Sequence, residues 1–178
     1  MILKVRYYGD PILRQSAKPV EVITDEIREL CQNMLETMKH YDGIGLAAPQ
    51  VGYLLRIFVS NVAYEDEQGE LHLGEPKVYI NPILTKPSDA LVERSEGCLS
   101  IPKLYLAIAR PLSIHLEATD IHGNQFHEEC YGYQARNRMH ENDHLNGVLF
   151  VDRIKGKRRT EIEPALRRIK QQYYGKAS

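Results

Sequence analysis

The chain has 178 residues, and its 24 acidic and 23 basic side chains leave a formal net charge of −1 with a sequence pI of about 6.7. This length predicts a single domain, residues 1–178, with enough chain to bury a substantial core. The near-neutral charge argues against a broad nucleic-acid-binding surface. No apolar run approaches the ~18 residues of a membrane span, the first residues are too charged for a signal peptide, and three cysteines form no even disulfide framework. We therefore expect a reduced, cytoplasmic protein.

Two helical segments are predicted before residue 40. Asp10 followed by Pro11 predicts a capped short turn. Thr24 predicts the N-cap of a longer helix, because apolar residues follow it at helical spacing: Ile27, Leu30, Cys31, Met34, Leu35 and Met38. Cys31 lies on this apolar stripe, so it is predicted to fill the core rather than to react.

The middle of the chain predicts strands. The apolar or alternating segments are residues 55–62, 78–84, 112–119 and 125–131. Pro82 has no backbone donor, so it predicts an edge strand or a bulge in the second of them. Residues 120–124 predict the hairpin turn before the last strand, and the polar segment 65–74 predicts a mobile hairpin tip.

Two further helices are predicted in the C-terminal part, at residues 132–146 and from about 160 to 173, the latter with Ile162, Ala165, Leu166 and Ile169 facing inward. Helices at the ends and strands in the middle, without strict alternation, indicate an α+β fold. We expect mixed or antiparallel sheets around the helix 132–146, followed by the C-terminal helix.

The helix at 132–146 contains the sequence His-Glu-Asn-Asp-His. His140 and His144 are four residues apart, so on a helix they lie on one face and can bind one metal ion. Glu141 is then placed to take the proton of a water bound to that metal. The competing interpretation is two surface histidines on a polar helix. Asn146-Gly147, a helix stop just after the motif, favours the metal site and therefore hydrolysis.

The third protein ligand is open from the residues alone. A third histidine six residues after His144 is excluded, because that position is Phe150. Glu161 or Glu163 on the C-terminal helix could serve, although both also suit the first turn of that helix. Cys98 is equally suitable, since it lies outside any helical stripe and follows Gly97, which lets the backbone approach a site closely.

Three segments in order resemble the peptide deformylase family: Gly43-Ile44-Gly45-Leu46-Ala47-Ala48-Pro49-Gln50, Glu96-Gly97-Cys98-Leu99-Ser100 and His140-Glu141-Asn142-Asp143-His144. The resemblance extends from residues 10–14 to residues 147–152. It implies a metal-dependent hydrolase of protein biosynthesis that removes the N-formyl group from the N-terminal formyl-methionine of new polypeptides and releases formate.

The resemblance also implies roles for individual residues. Cys98 joins His140 and His144 as the third ligand, and Glu141 moves the proton of the attacking water. The backbone N–H of Leu99 and the side-chain amide of Gln50 stabilise the oxyanion. The expected substrate-binding residues are Gly43, Ile44, Gly45, Glu96 and Gly97. The implied native metal is Fe²⁺, with Zn²⁺, Ni²⁺ or Co²⁺ able to occupy the site, and the ligand set suits all four.

The resemblance implies nascent N-formylmethionyl peptides as partners, and a monomer is favoured. The basic cluster of residues 155–159 predicts a solvated loop or, as the alternative, transient contact with the ribosome.

Some residues depart from the family pattern near the expected path of the peptide: Arg94, Lys103, Tyr105, Leu106, Asn137 and Arg138. These departures predict a more polar or narrower pocket for the methionine side chain. The rival hypotheses are a zinc peptidase that uses Glu161 or Glu163, and a non-enzymatic metal-binding module.

Overall fold

Antiparallel strands and three helices form the part of the chain that the computed structural model describes, residues 1–175. The helices are α1 (Asp25–His40), α2 (Tyr133–Leu145) and α3 (Gly156–Ile169). The strands are β1 (Gly45–Ala47), β2 (Ile57–Glu65), β3 (Leu71–Thr85), β4 (Leu91–Cys98), β5 (Ile101–Pro111), β6 (Ser113–Thr119) and β7 (Gln125–Tyr131). This arrangement confirms the predicted α+β class.

Five strands form one antiparallel sheet in the order β1-β2-β3-β6-β7, and β4 and β5 form a separate two-stranded sheet. Strand β3 lies in the middle of the larger sheet, so the edge position suggested by Pro82 is wrong. The alternative, a bulge, is confirmed, because the β3–β6 register shifts between Ile80 and Ile83. The bulge removes Pro82 from the ladder, where its missing N–H would cost a hydrogen bond.

The hairpin between β2 and β3 is confirmed, but its strands reach further into the polar segment than we expected. The connection is confined to residues 66–70, where the Asp66 carboxylate accepts hydrogen bonds from the backbone of Gln68 and Glu70. The β4–β5 hairpin was not predicted, although Leu104, Leu106 and Ile108 alternate along β5 as a strand requires.

Local capping in the N-terminal part follows the sequence closely. The Asp10 carboxylate accepts from the N–H of Ile12 at 3.0 Å, and the Thr24 hydroxyl accepts from the N–H of Ile27 at 3.3 Å. The apolar stripe of α1 packs into the core beside β2, and Cys31 is fully buried there, as predicted. The thiol of Cys31 is thus a filler of the core.

Helix α2 lies against β1, β2 and β7 and is buried along most of its length, although its side chains are mainly polar. Glu65, at the end of β2, accepts a hydrogen bond of 2.6 Å from the N–H of Tyr133 and so satisfies a donor at the start of the helix. The helix ends at Leu145, Asn146 is its C-cap, and Gly147 follows with φ of +70°. Polar contacts therefore help to hold the central helix that carries the histidine motif, together with apolar packing of Ala135 and Leu145.

Helix α3 begins at Gly156, earlier than the predicted start near residue 160, and a π-helical turn (Lys170–Tyr174) follows it. Ion pairs between Lys157 and Glu161 and between Arg159 and Glu163 support the added first turn. Leu166 and Ile169 are buried, while Ile162 and Ala165 are only partly covered. Within residues 1–175, none of the helices has the length and apolarity to cross a membrane.

Candidate metal centre

Cys98, His140 and His144 form a compact group of metal-ligand atoms, all within 4.8 Å of one another. The two histidines lie one turn apart on α2, and Cys98 ends β4, so the small sheet supplies one ligand and the central helix supplies two. The Cys98 Sγ is 3.4 Å from the His144 Nε2. Both histidines are buried, which excludes the interpretation of two surface side chains.

The donor set of this group fits a divalent metal ion. The His140 Nδ1 lies 2.8 Å from the Glu96 Oε1, which leaves the Nε2 of that ring for a metal. Burial alone lowers the pKa of His140, but its hydrogen bonds to Cys98 and Glu96 raise it well above the usual value. Burial and the charge of His140 hold the pKa of His144 well below its usual value. One sulfur and two imidazole nitrogens suit borderline-soft ions such as Fe²⁺, Zn²⁺, Ni²⁺ and Co²⁺.

Glu96 orients His140 and is itself fixed by two buried arginines. The guanidinium of Arg110 donates to both carboxylate oxygens at 2.6 and 2.9 Å, and Arg136 donates at 2.5 Å. Burial alone would raise the pKa of Glu96, but the contacts with Arg110 and His140 hold it far below the usual value. Glu96 thus contacts a histidine of the candidate metal centre, whereas the sequence predicted only a contact with substrate.

Asp143, inside the histidine motif, ties the same network to the region after α2. Its carboxylate accepts from Arg110 at 2.9 Å and from Arg153 at 2.7 and 2.8 Å. The sequence assigned no role to four residues of this network: Arg110, Arg136, Asp143 and Arg153. The alternation along β5 places Arg110 on the same face as Ile108 and could have indicated an inward-facing arginine.

Glu141 is buried beside the candidate ligands with one oxygen free for chemistry. Its Oε2 has no hydrogen-bond partner within residues 1–175. Burial raises the pKa of Glu141 to about 7, in the range where a carboxylate can both accept and return a proton near neutral pH. A Cβ at Gly45 would overlap the Glu141 carboxylate, so the glycine at this position provides the space that Glu141 occupies.

The side-chain amide of Gln50 is held in one orientation. Its Oε1 accepts from the N–H of Ala47 at 2.9 Å, which turns the Nε2 toward the site. That nitrogen lies 3.4 Å from the Cys98 Sγ and 3.1 Å from the Ser100 Oγ. Leu99 is in the turn between β4 and β5, directly after Cys98, and its side chain approaches Gly43. Two N–H donors, one from Gln50 and one from the backbone of Leu99, thus flank Cys98.

A cleft of about 520 Å³ opens onto the candidate metal centre. All the predicted site residues line it except His144, which is almost fully buried. The structure thus brings together the glycine-rich segment, the cysteine segment and the histidine motif. Strand β1, which contains Gly45, is at the edge of the larger sheet, so one side of its backbone is not paired with another described strand.

The residues that depart from the family pattern divide into two groups. Lys103, Tyr105 and Asn137 line the cleft, and the ring of Tyr105 lies across Gly97. Arg94, Leu106 and Arg138 do not line it: Arg94 pairs with Glu65 at 2.6 Å, Leu106 packs against the core beneath α3, and Arg138 pairs with Glu128 behind α2.

The expected alternative ligands Glu161 and Glu163 are wrong. Both lie on α3, where they pair with Lys157 and Arg159, and neither belongs to the ligand group of Cys98, His140 and His144. Their position in the first turns of α3 is explained by these ion pairs between residues four apart on the helix.

Comparisons with known proteins agree with this geometry. The family model described as polypeptide deformylase matches residues 2–160. A peptide deformylase from Maricaulis maris is 42% identical over 161 residues, which cover 90% of this chain and 88% of the relative. One from Thermotoga neapolitana is 40% identical over 163 residues, which cover 92% of this chain and 93% of the relative.

Solved structures show the same similarity in three dimensions. The crystal structure of peptide deformylase from Ehrlichia chaffeensis superimposes with a TM-score of 0.87 at 34% identity and covers all of both chains. That of the Thermotoga maritima enzyme gives a TM-score of 0.80 at 40% identity, over 88% of this chain and 99% of the other. The chain belongs to the polypeptide deformylase family, a family of hydrolases.

Proposed function

We propose that this chain removes the N-formyl group from the N-terminal formyl-methionine of newly synthesised polypeptides and releases formate. The observation that carries the proposal is the convergence of Cys98, His140 and His144 beside the buried carboxylate of Glu141, at the base of a cleft. We further propose that residues 1–178 form one catalytic domain.

The cleft fits the N-terminus of an extended peptide. The unpaired edge of β1 offers backbone groups at Gly45 that can bind a peptide as an added strand. Gly43 and Ile44 continue this wall of the cleft, while Gly97 and Glu96 lie opposite, beside Cys98. A peptide bound along β1 would place its terminal formyl group near Glu141.

A metal ion held by Cys98, His140 and His144 would polarise the formyl carbonyl. It would also lower the pKa of a water molecule, so that the water can lose a proton and attack the carbonyl at neutral pH. Glu141 would accept the proton of that water at its free Oε2 and then deliver it to the amine of the departing peptide. Burial favours this exchange, because a pKa of about 7 makes Glu141 a better base than an ordinary carboxylate and still lets it give up the proton near neutral pH.

The negative charge that develops on the formyl oxygen would be stabilised by two donors of this chain. The Gln50 Oε1 accepts a hydrogen bond from the N–H of Ala47, and this turns the Gln50 Nε2 toward the site. The backbone N–H of Leu99 lies next to Cys98. Donors fixed before the reaction stabilise such a charge without reorganisation, and one such donor typically contributes about 10²- to 10³-fold in kcat.

We propose Fe²⁺ as the native metal, with Zn²⁺, Ni²⁺ and Co²⁺ as ions that can replace it. The mixed sulfur and nitrogen ligand set supports this proposal, since it suits ions between hard and soft.

We also propose that the protein acts in the cytoplasm as a monomer and that the basic residues 155–159 contact the ribosome transiently. The exposure of Lys155, Lys157 and Arg158 supports that contact.

The proposal is tested by measuring metal content and formate release for the wild-type protein and Glu141→Gln. We expect the variant to retain the metal and to lose about 10²- to 10⁴-fold in kcat, the usual contribution of a general acid–base group. Wild-type protein that binds metal but releases no formate from formyl-methionyl peptides would instead support a metal-binding module without turnover.

A further inference from the structure

Asn137 places an amide in the cleft one helical turn before Glu141. The two side chains share a face of α2, because residues four apart on a helix lie one above the other. Asn137 is buried and lines the cleft. If the formyl group lies at Glu141, the side chain of the first substrate residue passes close to this amide.

The orientation of the Asn137 amide is set by a donor behind it. The Arg138 Nη1 lies 2.9 Å from the Asn137 Oδ1, and a guanidinium can only donate. The Ser60 hydroxyl lies 2.8 Å from the same oxygen and accepts from the Arg138 Nη1 at 2.9 Å. The oxygen of the amide therefore faces Arg138, and the nitrogen faces the opposite side.

Arg138 is itself held in place, so this orientation is not free to reverse. Its guanidinium donates to the carbonyl of Val62 at 3.0 Å, lies over the ring of Tyr79 at 4.9 Å and contacts Glu128 at 3.3 Å. Arg138 is almost fully buried. If the Asn137 amide flipped, its N–H groups would face the N–H of the Arg138 guanidinium. Both donors would then be buried without an acceptor, which costs free energy.

The amide nitrogen of Asn137 lies on the cleft side. A Cβ at Gly45 would be 2.8 Å from the Nδ2. Within residues 1–175 its one acceptor is the carbonyl of Ile44, at a long 3.3 Å. A side-chain amide carries two N–H groups, so one donor remains for a bound molecule.

We propose that Asn137 determines specificity by offering this N–H to the first side chain of the substrate. The inference rests on the proposed deformylase function and defines its substrate class more closely. Side chains with a hydrogen-bond acceptor are favoured: the thioether of methionine, a weak acceptor, and more strongly the oxygen of methionine sulfoxide. Norleucine has nearly the same shape but no acceptor, so it leaves the buried donor unpaired.

The test compares kcat/KM for three formylated peptides that differ only in the first residue: methionine, norleucine and methionine sulfoxide. The variants are Asn137→Leu, which removes the amide at similar volume, and Gln134→Leu, a matched control on the same helix outside the cleft lining. For the wild type we expect methionine to be favoured over norleucine by about threefold to tenfold, the usual worth of one hydrogen bond.

In Asn137→Leu we expect the methionine-to-norleucine ratio to fall toward one and the sulfoxide peptide to lose at least as large a factor. Gln134→Leu should keep the wild-type ratios. Turnover with unchanged ratios in Asn137→Leu would overturn this inference alone. No turnover of any peptide by the wild-type protein would overturn the deformylase function, and this inference with it.

Arg138 acts as a positioning residue for the Asn137 amide. Arg138→Met should lower the methionine-to-norleucine ratio, because the freed amide can then turn its oxygen toward the cleft. Ser60→Ala keeps the Arg138 donor and should leave the ratio unchanged. The ratio, unlike the absolute rate, is insensitive to a general loss of stability, and Asn137→Leu decides the case if Arg138→Met does not fold. A wild-type ratio in a folded Arg138→Met would contradict the positioning role.

Discussion

Glu141 shows how position alone changes the chemistry of a common residue. A glutamate at the surface is ionised at neutral pH and hydrated. Here burial raises the pKa of Glu141 to about 7, and its Oε2 has no hydrogen-bond partner within residues 1–175. Gly45 makes this placement feasible, since any larger residue would fill the space of the carboxylate.

Gly45→Ala is predicted to impair catalysis more than stability. The added methyl would collide with the Glu141 carboxylate and come within 2.8 Å of the Asn137 Nδ2, so it displaces the proton-transfer group. A displacement of about 1 Å at such a group can cost about 10²-fold in rate. We expect kcat for formate release to fall by that order while the metal content stays near one ion per chain.

The matched control for Gly45→Ala is Gly74→Ala on β3, where the added methyl would meet one methyl group, that of Ala63, at 3.0 Å. Gly74 is outside the cleft lining, so its variant should retain the wild-type kcat. Equal rates for Gly45→Ala and the wild type would show that Glu141 does not need this space.

At the scale of elements, α2 is a central helix stabilised by ion pairs on two sides. Toward the small sheet, Arg136 pairs with Glu96; toward β7, Arg138 pairs with Glu128. The helix that carries the two histidines of the candidate metal centre is thus fixed by a charge pair on each side. Breaking one member of such a pair leaves the other buried and unpaired, which is destabilising.

Glu128→Gln is predicted to lower stability and to weaken its dependence on pH. Burial alone would raise the pKa of Glu128, but the charge of Arg138 and the hydrogen bonds from it lower the pKa below its usual value of 4.5. A lowered folded-state pKa stabilises the protein fully above the unfolded value and loses that effect as the pH falls through the folded value. The variant should therefore lose about 1–3 kcal/mol at pH 7 and less below pH ~4.5.

Urea denaturation at a series of pH values measures this effect. Glu129→Gln is the control, because Glu129 is adjacent on β7 but three-quarters exposed. It should unfold like the wild type at every pH. Equal destabilisation of Glu128→Gln at pH 7 and at acid pH would contradict the charge pair as its cause.

The sequence was sufficient where local signals are strong. Thr24, the apolar stripe of α1 and the Asn146-Gly147 stop predicted helices, and each is confirmed. The β4–β5 hairpin was missed because its residues mix arginines and glutamates with apolar side chains, and only tertiary contacts show that Glu96 and Arg110 face inward. The link between Glu65 and the start of α2 likewise joins residues far apart in the chain.

At the scale of the whole molecule, the site lies where the larger sheet, the small sheet and α2 meet. The glycine-rich segment contains β1 at the edge of the larger sheet, Cys98 ends β4 of the small sheet, and the histidines lie on α2. The resemblance of three short segments predicted this meeting of distant residues; periodicity alone left Cys98 and the two glutamates of α3 as equal candidates.

The iron form is predicted to lose activity in air, whereas a nickel form keeps it. A thiolate ligand favours ions between hard and soft, and of these Fe²⁺ is readily oxidised. Protein loaded separately with Fe²⁺ and Ni²⁺ under anaerobic conditions would be assayed for formate release before and after exposure to air. Equal survival of the two forms would count against iron as the native metal.

The most direct test of the central claim is the metal content per chain of wild type, Cys98→Ser and Glu161→Gln, measured with formate release on the same samples. We expect Cys98→Ser to lose metal and activity together and Glu161→Gln to match the wild type, because Glu161 lies on α3 and pairs with Lys157. Retained metal and full formate release in Cys98→Ser would contradict it.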